Sequence, residues 1–232
     1  MSYNNGPKIV TSGLVLCLDA GNIKSYPSSG TSWSDLSGNN NNGTLTNGPT
    51  FNSENGGSIV FDGVDDYINA DGSIIPVGTG DYYIESWINR ATVTSNTSVS
   101  IVCGLDNNSF YFGFGRTYNG ANGLRLAKSN VADAENCAFN FIANTWYHVA
   151  VSRTSSVVYF YINGQQQTTQ GSGTGAFSFL SSTVARVGVG SSISPILEPL
   201  NGNISSIKYY NRSLSASEVL QNFNATKGRF SL

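Results

Sequence analysis

Acidic side chains, one histidine and three cysteines are the groups in this chain that could do acid–base, nucleophilic or metal chemistry. A glycosidase needs two carboxylates about 5 to 10 Å apart across the scissile bond. Same-face residues of a strand are two apart and separated by about 6 to 7 Å, so Glu-x-Asp-x-Glu on one strand would provide such a pair. No such string occurs. Glu85 is the only acid inside the aromatic run 81–90, while Asp133 and Glu135 fall in a loop-like stretch, and each reads as a solvated or turn carboxylate. His148 is the single histidine and no Gly-x-Ser-x-Gly elbow accompanies it, so it reads as a packed, hydrogen-bonded side chain rather than a catalytic base. With that one histidine and thiols at Cys17, Cys103 and Cys137, the spacing of a zinc site is missing. The glycine-rich 171–175 lacks both the Lys-Ser/Thr and the following helix of a phosphate loop. The chain therefore reads as a protein that is not an enzyme.

Two other chemistries are better supplied. Calcium takes six to eight oxygen ligands, and the stretches 35–43 and 62–66 are rich in Asp and Asn, with Asp35 and Asp62 as the candidate ligands. The same residues also serve simply to turn a chain, by bonding to nearby backbone. Sugar binding needs an exposed aromatic face and a few amides on loops. Tyr26 and Trp33 in a long connection, and Tyr118 with Asn119 and Asn122 in a later turn, have that composition. The competing reading has Trp33 plugging a sheet edge and Tyr118 packing over its own turn.

The elements that must position these groups are strands. Residues 144–167 hold two runs rich in Val, Tyr, Phe and Trp, joined by the polar turn 153–156 and ending at Asn163-Gly164, a dipeptide suited to positive φ. Alternation puts Tyr147, Val149 and Val151 on one face and Trp146, His148 and Ala150 on the other. Neither face looks solvated, which predicts a central strand. Further strands are expected over 14–19, 58–61, 67–70, 81–90, 99–105, 110–115, 123–127, 184–189 and 203–211. No intervening segment has the length of a crossover helix, so the order is antiparallel. Residues 21–43 form a long connection that Tyr26, Trp33 and Leu36 must pin down. Only one helix is expected, opened by the capping box Ser215 to Glu218 with Leu214 as a hydrophobic staple on Val219. Val219, Leu220 and Phe223 would then seal the edge of the sandwich.

These strings resemble a known family. Trp146-Tyr147-His148-Val149-Ala150-Val151, followed by an aromatic strand and Asn163-Gly164, is similar to the signature of laminin-G-like, concanavalin-A-like jelly-roll domains. Residues 14–19, 37–43, 61–63 and 204–218 are similar to the family's other segments in order. The resemblance implies an all-β concanavalin-A-like sandwich of two antiparallel sheets with one short C-terminal helix. It would fill 1–232 as a single domain, with an N-terminal arm at 1–10 and a C-terminal tail at 224–232. It also raises the expectation of a loop calcium.

Totals narrow the partners. Only 11% of the 232 residues are charged and the net charge is -2, so there is no electrostatic footprint for nucleic acid. No apolar run reaches the roughly 18 residues of a membrane helix and no signal region opens the chain, so synthesis in a host cytoplasm with reduced cysteines is expected. Strings such as 13–22 and 32–39 resemble stand-alone virion proteins of tailed bacteriophages. That resemblance implies a structural protein on the virion surface, in capsid decoration or host-surface attachment, with other virion proteins and cell-surface glycan as partners. The alternative is a soluble carbohydrate-binding lectin, and a polysaccharide hydrolase or lyase is the remote third reading.

Overall fold

A computed structural model describes residues 7–93, 99–104, 110–116, 122–128, 134–171, 178–190 and 198–232. Its strands are, in chain order, β1 Leu14–Asp19, β2 Ser32–Trp33, β3 Gly43–Thr46, β4 Thr50–Asn52, β5 Ser58–Asp62, β6 Tyr67–Asp71 and β7 Tyr82–Arg90. They continue with β8 Val99–Gly104, β9 Phe110–Arg116, β10 Asn122–Lys128, β11 Ala134–Ala138, β12 Trp146–Thr154 and β13 Val157–Ile162. The last are β14 Gln165–Gln167, β15 Gln170–Gly171, β16 Val184–Val187 and β17 Asn201–Tyr210, followed by helix α1 Ala216–Thr226 and a 3-10 turn Lys227–Phe230.

The strands form two antiparallel sheets, as the family resemblance implied. The eight-stranded sheet runs β14-β13-β12-β7-β17-β5-β4, with β1 also on β17. The nine-stranded sheet runs β15-β11-β10-β9-β8-β16-β6-β3-β2. As its alternation requires, β12 is central, between β13 and β7. Asn163 and Gly164 both take positive φ in the turn that follows, and Gly164 lies against Phe223 of α1, where a side chain would crowd the ring. The main core lies between the sheets and includes Ile84, Ile88, Val149 and Val151 facing Phe110, Phe112, Leu124 and Leu126. Glu135, expected in a loop, is instead a buried residue of β11. Its short strand carries too little apolar alternation to stand out from sequence.

The outer face of the eight-stranded sheet is also buried over its central strands β12, β7 and β17, and this revises several expectations. Tyr83, Glu85 and Trp87 point away from the core, yet all are buried. Helix α1 and the turn after it lie over them rather than at a sheet edge. Trp87 is therefore covered by the C-terminal segment: Phe230 stacks on it at 4.0 Å and Thr226 Oγ1 accepts its indole N–H at 2.7 Å. The capping box forms as expected, and Leu214 and Val219 share one cluster. Leu220, however, is 39% exposed and seals nothing.

Beneath the helix sits a polar knot. Glu85 Oε1 accepts from Lys208 Nζ at 2.8 Å, and Oε2 accepts from Tyr83 at 2.9 Å and Asn222 Nδ2 at 3.1 Å. His148 Nε2 is also 3.2 Å from Oε2, at ion-pair distance but without the alignment of a hydrogen bond. Burial alone would raise the Glu85 carboxyl, but the adjacent Lys208 ammonium and His148 outweigh it and hold the group well below the usual carboxylate range. Glu85 is thus no solvated carboxylate. The terminal segments join the same knot. Asn222 Oδ1 accepts the Val10 N–H and Gln221 Nε2 donates to the Lys8 carbonyl. Arg229 bonds Asp19, Ser205 and the carbonyls of Asn55 and Gly57. Residues 224–232 are therefore packed structure rather than a free tail, and 8–10 are laced to α1.

Removing one partner of a buried charged pair strands the other. Glu85→Gln is expected to lower unfolding stability by about 3–5 kcal/mol, measured by urea titration, while Leu220→Ala leaves it within about 0.5 kcal/mol.

Candidate functional site

The residues singled out for sugar binding do not form one patch. Tyr26 is 3% exposed, with its hydroxyl donating to the Gly30 carbonyl at 2.7 Å and its ring 5.7 Å from Phe51. Trp33 is fully buried on β2. Neither offers a face to a ligand, because the long connection has few other apolar side chains to fix it. Tyr118 and Asn119 lie outside the described residues. Asn122 opens β10, six strands from Trp33 across the nine-stranded sheet, or on the order of 30 Å.

The candidate calcium ligands are separated as well. Asp35 Oδ1 accepts the N–H groups of Cys17 and Ser37, and Oδ2 accepts Ser37 Oγ and the Asn41 N–H. The carboxylate is saturated by its own loop and by β1, which leaves a cation little access. Asn41 ties this loop to Ser73, just past the end of β6. Asp62 lies beyond the other end of β6, grouped with Asp65 and Asp66, whose ligand atoms all lie within 4.8 Å of one another. Asp62 Oδ1 accepts the Val64 and Asp65 N–H groups, and Asp66 Oδ2 accepts the Asp62 N–H. Burial raises the Asp66 carboxyl; the Asp62 N–H lowers it, and the charges of Asp62 and Asp65 raise it further. An all-oxygen set of this kind suits a hard cation.

A different group of polar side chains is brought together on the outer face of the nine-stranded sheet. Register places Ser32 opposite Thr44, Thr44 opposite Asn69, and Asn69 opposite Arg186, so the four form one row across β2, β3, β6 and β16. Ser32 and Thr44 are exposed, Asn69 is half-buried and Arg186 closes the row at 7% exposure. The Arg186 guanidinium lies 5.1 Å from the centroid of the Tyr67 ring, which holds it by cation–π attraction. Among the described residues, Asn69 Oδ1 and Arg186 Nε have no hydrogen-bond partner. One is an acceptor and the other a donor, and a hydroxyl is both. A second row, Gly113, Arg125, Asn136 and Gln170, crosses β9, β10, β11 and β15, and its Asn136 Oδ1 and Gln170 Oε1 are likewise without partners.

Sequence reasoning missed this row. The signal was present in part: Thr44 and Thr46 flank Leu45, Asn69 and Asp71 flank Ala70, and Arg186 stands between Ala185 and Val187. Alternation marks these as outward positions, but strand neighbours distant in sequence cannot be read from it.

Comparison with known proteins places the architecture. Domain 4 of the extracellular arabinanase AbnA from Geobacillus stearothermophilus, solved in complex with arabinotriose, is similar at 18% identity and a TM-score of 0.69, over 92% of this chain and 98% of that one. The receptor-binding domain of botulinum neurotoxin C/D mosaic serotype matches at 14% identity and a TM-score of 0.67, over 92% of this chain and 51% of that one. Trypanosoma rangeli sialidase matches at 15% identity and a TM-score of 0.63, over 93% of this chain but 33% of that one. No curated protein sequence matches. The fold is thus shared by binding domains and by chains of enzymes. The family model Laminin_G_3, described as the concanavalin A-like lectin/glucanases superfamily, matches residues 62–220. With its two antiparallel sheets and, among the described residues, one short C-terminal α-helix, the chain belongs to that superfamily.

Proposed function

We propose that this protein is a non-enzymatic interaction domain that binds glycan on the outer face of its nine-stranded sheet. The observation that carries this reading is the polar row itself, in which exposed Ser32 and Thr44 and half-buried Asn69 lie in register on adjacent strands and lead to Arg186. The exposed Ser32 and Thr44 hydroxyls and the half-buried Asn69 amide can meet successive sugar hydroxyls, with Arg186 behind them as the positive end of the row. Glycan partners of similar folds favour the same reading, arabinotriose in the arabinanase domain above all. The non-enzymatic part is supported by the burial of Glu85 and His148 beneath α1, where no substrate bond can reach them.

A glycan array followed by calorimetry tests this. Asn69→Ala removes one acceptor, worth about 1–2 kcal/mol, and is expected to weaken the best ligand roughly tenfold at unchanged melting temperature. Trp33→Ala should instead cost about 3–5 kcal/mol of stability, as befits a core residue. Silence across the array, or polysaccharide turnover by the protein, would sink the proposal.

We further propose that calcium binds at Asp62, Asp65 and Asp66, which would relieve the mutual repulsion of their carboxylates. Added calcium is expected to raise the melting temperature relative to EDTA, and Asp66→Asn to abolish the rise. An unchanged melting curve counts against it.

Display on a phage virion, with other virion proteins as partners, is proposed as the setting for this module, on the strength of the sequence resemblance. Residues 224–232 are engaged within the chain, so another surface would dock. Particles assembled in its presence should retain it through gradient purification; complete loss there argues against a virion role.

A further inference from the structure

Arg153 is the least expected side chain in the molecule. It lies on β12 in alternation with Val149 and Val151, which places it on the inner face between the sheets, and it is fully buried. Among the described residues, none of its three guanidinium nitrogens has a hydrogen-bond partner. Directly opposite on β7 stands Tyr82, 1% exposed, whose hydroxyl is also without a partner. On the other side is the apolar Val158. Phe110 and Phe179 pack on the Tyr82 ring with centroids at 5.6 and 6.4 Å. The neighbouring acid Asp81 is exposed and accepts the Ser155 N–H.

A guanidinium remains charged at any ordinary pH, and an unpaired charge in an apolar interior carries a large desolvation penalty. The guanidinium only donates, and the adjacent phenol can add one more donor. The complement to such a set is a group that only accepts and carries negative charge. We propose that Arg153 and Tyr82 form an internal binding site for a small monovalent anion, chloride in solution, held between the two sheets. This site is separate from the glycan row, which lies on the opposite side of the nine-stranded sheet. Its occupant is structural: it neutralises Arg153 and so stabilises the sandwich by binding only the folded chain.

Melting temperatures of the full chain in sodium chloride and in sodium gluconate at equal ionic strength test the site, since gluconate is too bulky for a closed interior. The wild type is expected to melt several degrees higher in chloride. Arg153→Met, which keeps the apolar stem and removes the charge, should melt at the same temperature in both salts. Should that variant not fold, Tyr82→Phe replaces it and should show a smaller chloride effect than the wild type. Crystals soaked in sodium bromide are expected to give an anomalous peak beside the guanidinium. An equal response to chloride in wild type and variant, or bromide-soaked crystals without that peak, overturns the proposal.

Discussion

Burial of the central strands of the eight-stranded sheet on both faces is the constraint from which most of this structure follows. In β7 every residue from Tyr82 to Arg90 except Asn89 is buried. One face meets the nine-stranded sheet, and the other has no third sheet to meet. The C-terminal segment fills that role. Its short helix is amphipathic by composition, and its Phe223 and Phe230 bring the aromatic area that Trp87 requires. Because an isolated helix of this length is marginal in water, the capping box and the packing must form together. The cap itself is tightened by Arg212, whose bond to Glu218, with the Ser215 contacts, holds that carboxyl down to about 2.

The polar knot under the helix has a different role from the aromatic contacts around it. A buried ion pair is weak evidence for stability, since desolvation offsets much of the attraction. What Glu85, Lys208, Tyr83, Tyr210 and Asn222 provide is register. From α1, Asn222 reaches β7, β17 and the N-terminal segment at once, so a helix shifted by one turn would leave several buried groups without partners. Residues 8–10 and helix α1 are thereby fixed to each other and to the central strands. Burial also quiets the thiols: Cys17, opposite Lys208, is pushed up to about 11, and Cys137, in the core between the sheets, to about 12.

With the middle of one sheet's outer face closed by the helix, the outer face of the other sheet and the turns are the surfaces to which the proposed reading assigns recognition. The asymmetry matters for function. The nine-stranded sheet carries its polar row on strands, which hold side chains more rigidly than loops do, while the Asp- and Asn-rich turns are largely occupied with their own backbone. The loop 35–42 illustrates this: Asp35, Ser37, Asn39 and Asn41 all bond to β1 or to one another.

The sequence by itself determined the longer strands, their antiparallel order, the central place of β12 and the helix cap, because period-two alternation, turn residues and capping chemistry are local and act within a few residues; the short strands β2, β3, β4, β11, β14 and β15 carry too few residues to show that period, and the superfamily was legible through resemblance. It also determined that Tyr26 and Trp33 sit in a connection needing apolar anchors. Whether those anchors face inward or outward was beyond it, and the tertiary structure buried both. The same limit applies to Glu85, whose neighbours Lys208, His148 and Asn222 come from three other elements, and to Asn69 and Arg186, which meet only because β6 and β16 pair. Alternation assigns a side chain to a face, but what covers that face is decided by long-range packing, where hydrophobic burial is non-directional and leaves no local mark on the sequence.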